Sequence, residues 1–147
     1  MYLVSHNEKQ TIKIAKDLSK RLQGGEIILL YGDLGAGKTV FVKGLAKALG
    51  VKEIVKSPTF NILKCYSILS KSYKLKAKSS LCHIDAYRLE SLDDLLDIGF
   101  EEYINNKNII VIEWAERVNG IEKLTDKIIE IKMDHGKKEQ ERNIIIE

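Results

Sequence analysis

Residues that staple or interrupt a chain are scarce here: of 147 residues, two are Cys, one is Pro and one is Trp, and aromatics make up 7%. Cys65 and Cys82 form neither a CxxC pair nor a zinc-ligand arrangement. The sequence therefore suggests no disulfide scaffold and no structural metal, and both cysteines read as reduced packing residues. Long apolar runs are also missing. Stretches such as Ile27 to Tyr31 and Ile109 to Ile112 fall far below the ~18 residues of a membrane-spanning helix. The opening Met1 to His6 lacks a basic segment and a longer apolar stretch, so a cytoplasmic protein without membrane attachment is expected. No internal repeat, low-complexity tract or linker is evident. What is present is enough to build a core: 44% hydrophobic and 31% charged residues exclude disorder as the main state, and the length suits one domain over residues 1–147.

The net charge of +3 does not by itself announce a nucleic-acid binder, but it is unevenly spread. Residues 51–80 carry seven Lys and one Glu, whereas residues 81–120 carry nine acids against Arg88, Lys107 and Arg117. Such blocks read either as solvated faces or as a basic hairpin facing a partner or RNA.

Hydrophobic periodicity predicts an α/β chain. Tyr2 to Val4 suits a strand, and the polar Ser5 to Asn7 suits a helix cap. Ile12, Ala15, Leu18 and Leu22 then share a helical face that stops at Gly24-Gly25. Glu26 to Tyr31 is a short apolar run bounded by glycine, as in a strand buried on both faces. A helix from about Lys38 to Leu49 buries Phe41, Val42, Leu45 and Leu49. Pro58 marks an extended or turn segment. Asn61 to Leu69 and Leu81 to Asp85 read as strands joined by the Lys- and Ser-rich stretch 70–80. Ser91 caps a short helix to Leu96, with Asp93 and Asp94 in its first turn. Ile109 to Ile112 is another buried strand, and Lys127 to Met133 with Arg142 to Ile146 forms a final hairpin. The expected architecture is P-loop NTPase-like: a mainly parallel central sheet flanked by helices on both faces, with antiparallel C-terminal additions.

The chemistry concentrates at Gly32-Asp33-Leu34-Gly35-Ala36-Gly37-Lys38-Thr39, a full GxxxxGK[ST] pattern lying after a buried strand and opening a helix. Glycines let the backbone wrap a polyphosphate with N–H groups inward, and the helix N-terminus adds partial positive charge there. Lys38 is expected to reach the β- and γ-phosphates, and Thr39 to offer its hydroxyl to Mg²⁺. The nucleotide contacts expected are Asp33, Gly35, Ala36, Gly37, Lys38, Thr39 and Val40. Two strand ends carry acids: Ile109 to Ile112 leads into Glu113, and Leu81 to Ile84 into Asp85. Glu113 is assigned to the metal, directly or through water, and Asp85 to orienting or deprotonating the attacking water. Thr59 lies about twenty residues after the loop, in the position of a γ-phosphate sensor or a simple turn residue. His83 is open between packing and the site, and Trp114 between burial and the nucleotide. Arg88 and Arg117 read as phosphate contacts or as ordinary ion pairs.

Asn106-Lys107-Asn108-Ile109 has isoleucine where a guanine-reading Asn-Lys-x-Asp needs its Asp, which points to adenine. Four arginines in all make a kinase clamping two phosphorylated substrates the lesser reading. A small Mg-ATPase acting on a partner remains, with a nucleotide-gated binding module as the alternative from another class. GDLGAGKT at 32–39, SPTF at 57–60, HIDAYR at 83–88, LDIGFEEY at 96–103 and IEWA at 112–115 come in the order and spacing of the TsaE (YjeE) family, which the chain resembles over nearly its whole length. The resemblance implies a small ATPase of bacterial threonylcarbamoyladenosine synthesis in tRNA. It further implies binding to the TsaB–TsaD complex, whose TsaD subunit transfers threonylcarbamoyl from an adenylate made by TsaC, and ATP hydrolysis that supports turnover of that complex. It places metal contacts on Thr39 and Glu113, with Asp85 and Trp114 as further active-site positions. The basic stretch Lys64 to Lys78 adds an indirect or weak tRNA contact as an expectation.

Overall fold

Short β-branched runs cut off by glycine or by charged residues cannot be amphipathic helices, and they assemble instead into the centre of a sheet. The computed structural model describes residues 1–58, 60–69 and 75–147. Its strands are β1 (Tyr2–Ser5), β2 (Ile27–Tyr31), β3 (Leu63–Ser67), β4 (Ser80–Asp85), β5 (Ile109–Glu113), β6 (Ile128–His135) and β7 (Arg142–Ile146). The helices are α1 (Glu8–Ser19), α2 (Lys38–Ala48) and α3 (Leu92–Asp97), with short 3-10 turns at Phe100–Tyr103, Ala115–Arg117 and Ile121–Lys123.

One seven-stranded sheet runs in the order β1-β7-β6-β2-β5-β4-β3. Its centre, β6-β2-β5-β4, is parallel. β3 closes one edge antiparallel to β4, while β7 and β1 extend the other edge antiparallel to β6 and to each other. The fold is thus α/β with a parallel core, but the antiparallel additions are not confined to the C-terminus. β6, expected only as half of a hairpin, is itself a core strand, because its alternating side chains pack along β2.

The sheet's two faces carry unequal cover. α1 and α2 pack on one, burying Ala15, Leu18, Phe41, Val42 and Leu45 against Ile28, Leu30 and Val111. The other face is covered by α3 and the 3-10 turns, through Leu95, Phe100, Ala115, Val118 and Ile121 against Ile27, Ile84 and Ile112. Asn7 caps α1 as its polarity suggests, its side chain accepting from the Gln10 N–H at 3.0 Å. Ile12 lies at the margin of α1's buried face, 37% exposed, and Thr11 takes the inward place, bonded to Ser5 at 2.7 Å. Ser91 occupies the extended position before α3 but makes no capping bond with its side chain; the Asp94 carboxylate instead accepts from the Glu90 N–H at 2.9 Å.

Cys65 and Cys82 correct the reading of two independent reduced thiols: the structure joins them as a disulfide. They are 17 residues apart, and the antiparallel register of β3 and β4 sets them directly opposite with Cα atoms 4.0 Å apart. Strand register is a tertiary property that Cys spacing does not encode. Among the described residues, no helix is long and apolar enough to cross a membrane.

Candidate functional site

Parallel pairing brings the chemically active strand ends together. β4 and β5 are in register so that Asp85 lies beside Glu113, and β2, on the other side of β5, runs out into the Gly32–Thr39 loop. Side chains two residues apart share a sheet face. His83 and Asp85 therefore point to the same side as Leu81, and Glu113 to the side of Val111, which is the face covered by α1 and α2.

The loop turns into α2 through Gly37, whose φ of 98° lies in the left-handed region that glycine adopts without a Cβ penalty. At Gly32 a Cβ would run into the Met133 carbonyl oxygen of β6, so the loop can start only where no side chain intervenes. The first turn of α2 presents backbone N–H groups without partners inside the helix and the positive end of its dipole. Lys38, at the start of this turn, is buried. Its Nζ donates to the Gly32 carbonyl and, at 3.0 Å, to the Asp33 carbonyl, and stands 3.9 Å from the centre of the Trp114 ring. Burial pushes the Lys38 ammonium's pKa down, while the carboxylates of Glu113, Glu116, Asp33 and Asp85 pull it up.

Thr39 and Glu113 meet across the site. The Thr39 hydroxyl donates to Glu113 Oε1 at 3.0 Å and lies 3.2 Å from the Ser57 hydroxyl. Glu113 Oε2 is 2.6 Å from His83 Nε2, and both side chains are buried. Asp85 Oδ1 accepts from the Tyr87 N–H at 3.0 Å. Partial burial raises the Asp85 carboxyl above its ordinary pKa and Glu113 adds to the rise; the Tyr87 N–H, His83 and Lys38 act the other way. Trp114 turns the chain just after β5 with φ at 58°, and its ring packs on Tyr87 at 4.9 Å.

Lys38, Thr39, Ser57, Asp85, Glu113 and Trp114 line a cavity of about 850 Å³. Gly35, Ala36, Gly37, Lys38, Thr39 and Val40 form one wall, and Asp85, Glu113 and Trp114 lie at the strand ends. Asp33 is exposed and does not line the cavity; its carbonyl accepts from Lys38 Nζ and from the Ala36 N–H. Thr59 lies outside the described residues. Arg88 is exposed and does not line the cavity, and Arg117 stacks over Tyr87 at 5.6 Å. The sequence reading missed three contributors: the start of α1 around Asn7 and Thr11, Ser57, and Arg142. Arg142 donates from Nη2 to the Gly35 carbonyl at 3.0 Å, tying the last strand to the loop. Its scarcity as a residue type was the only signal available, because nothing local shows that β7 passes the loop.

Hard oxygen donors suit Mg²⁺, which keeps several waters and takes substrate phosphates as ligands. Thr39 and Glu113 fit that chemistry as an adjacent hydroxyl and carboxylate. Among the described residues, no group of three or more His, Cys, Asp or Glu could hold a metal ion.

Residues 5–144 match the family described as threonylcarbamoyl adenosine biosynthesis protein TsaE. This chain belongs to the TsaE family. It is similar to the tRNA threonylcarbamoyladenosine biosynthesis protein TsaE of Treponema pallidum (strain Nichols), 41% identical over 118 residues, 80% of this chain and 81% of the relative. The TsaE of Aquifex aeolicus (strain VF5) is 39% identical over 139 residues, 92% of this chain and 90% of the relative. Among solved structures, the crystal structure of YdiB from Bacillus subtilis superposes with a TM-score of 0.72 at 31% identity, covering 98% of this chain and 82% of that one. The membership places the chain in threonylcarbamoyladenosine biosynthesis.

Proposed function

We propose that this TsaE-family chain is a Mg-dependent P-loop ATPase that binds the TsaB–TsaD complex and hydrolyses ATP to sustain its turnover in tRNA modification. The observation that carries the reading is the meeting of the loop with the strand ends: Thr39 Oγ1 is 3.0 Å from Glu113 Oε1, beside a buried Lys38 and within one cavity. A glycine-rich corner built only to turn the chain has no use for that trio.

In this reading, Lys38 leaves the Gly32 and Asp33 carbonyls to pair with the β- and γ-phosphates. The N–H groups of Gly35 to Thr39 and the α2 dipole take up further phosphate charge. Thr39 and Glu113 hold Mg²⁺, which neutralises charge on the phosphates when bound. Asp85, with its carboxyl pKa raised by burial, accepts a proton from the attacking water more readily than an exposed aspartate. Trp114 screens Lys38 from solvent with its ring face. The mismatch at Ile109 in the guanine-reading pattern supports adenine as the base. An isolated hydrolase of this kind can run on the order of 10³ to 10⁵-fold below its completed form, so slow turnover alone fits the reading.

Phosphate release from Mg-ATP, measured with and without TsaB–TsaD, tests it. Stimulation by the partners is expected, with Lys38→Ala and Glu113→Ala each lowering the stimulated rate by about 10²-fold or more. Hydrolysis indifferent to the partners would remove the role in the complex. ATP binding without hydrolysis in either setting would instead establish a nucleotide-gated binding module.

A further inference from the structure

His83 has no part in the chemistry just described, yet it is fully buried at the site. Its Nε2 lies 2.6 Å from Glu113 Oε2, and its Nδ1 has no hydrogen-bond partner. A side chain kept for packing alone would gain from being apolar, since a buried polar atom without a partner costs stability. An ionised carboxylate only accepts, so Nε2 is the donor in this contact. Glu113 is consequently held at both oxygens, Oε2 by His83 and Oε1 by Thr39. Register builds the clamp: His83 pairs with Val111, and Glu113 is the next β5 residue on the same face.

We infer that His83 is a positioning residue that fixes the Glu113 carboxylate with Oε1 turned to Thr39, so that the two oxygens stand preformed for a divalent cation. The inference rests on the Mg-ATPase reading above. His83 acts through Glu113 alone and touches neither nucleotide nor metal.

His83→Met keeps much of the volume and removes the donor, whereas His83→Gln can place an amide N–H near the position of Nε2. Calorimetric titration with ATP, in EDTA and across a Mg²⁺ series, is read beside phosphate release. In EDTA both variants should bind ATP within about twofold of the parent. His83→Met should need about tenfold more Mg²⁺ for half of the metal-dependent tightening, the scale on which a lost outer partner weakens a metal site. His83→Gln should recover most of that loss. Adding His83→Met to Glu113→Ala should cost nothing further, because the path runs through a side chain already gone. Parental Mg²⁺ dependence in His83→Met, a Gln variant no better than Met, or additive losses in the double variant would each overturn the inference. A parent protein whose ATP affinity ignores Mg²⁺ would instead bring down the Mg-ATPase reading, and the positioning role with it.

Discussion

Asp85 stands half-buried at the end of β4, beside Glu113. Burial holds the Asp85 carboxyl above its ordinary pKa, so the folded state binds that proton more tightly than the unfolded chain does. The ionised group therefore weighs against folding at neutral pH; the penalty shrinks as pH falls through the folded pKa and is gone below the unfolded value. Asp85→Asn retains an oxygen for the Tyr87 N–H and removes the charge. Its melting temperature should exceed the parent's near pH 7 and match it near pH 3, readable by calorimetry at the two values. If Asp85 takes the proton from water, the same variant should lose about 10² to 10⁴-fold in hydrolysis while still binding Mg-ATP. Lys38, Thr39, Asp85 and Glu113 were all legible as residues because each follows a short buried strand or a glycine pattern. Arg142 and Ser57 were not, since their place in the cavity depends on chain segments distant from the loop.

At the scale of elements, the approach of α1 to α2 decides how firmly the loop is seated, for α2 carries Lys38 and Thr39 on its first turn. Gly44 makes that approach possible: a Cβ there would stand 3.0 Å from the Ile12 Cα and 3.2 Å from the Ala15 Cβ. Backbone cannot yield as a flexible side-chain tip can. Gly44→Val should destabilise the fold by about 1–3 kcal/mol, seen as a lower urea midpoint with an unchanged slope. The 3.6-residue period of apolar residues revealed α1 and α2, and short continuous apolar runs revealed β2 and β5, because both signals are local. The shift of α1's buried face toward Thr11, by contrast, came from a partner hydroxyl on β1 that the helix sequence does not contain.

For the whole molecule, charge distribution sets what the protein can meet. Lys64, Lys76 and Lys78 are exposed along the β3–β4 segment, and Lys71 and Lys74 belong to the same stretch of sequence. Neutralising Lys71, Lys74, Lys76 and Lys78 should weaken association with a tRNA-loaded TsaB–TsaD complex several-fold at low salt and flatten its salt dependence. Unchanged affinity and salt slope in a binding titration would remove tRNA from the partners of this face. The disulfide between Cys65 and Cys82 closes the base of the same segment. Its existence could not be inferred from two isolated cysteines, and neither could the joining of β1 to β7 at the far edge of the sheet.

The sequence alone determined the parts whose physics is local. A glycine-rich loop between a buried strand and a helix, acids at the ends of apolar runs, and the periods that separate helices from strands all depend on neighbours a few residues away. Tertiary structure decided what pairs with what: the strand order, the parallel membership of β6, the Cys65–Cys82 bond, the return of Arg142 to the loop and the His83 contact that holds Glu113. Such choices depend on register between segments tens of residues apart, where burial summed over a whole sheet selects one alignment and no short stretch of chain carries the deciding energy.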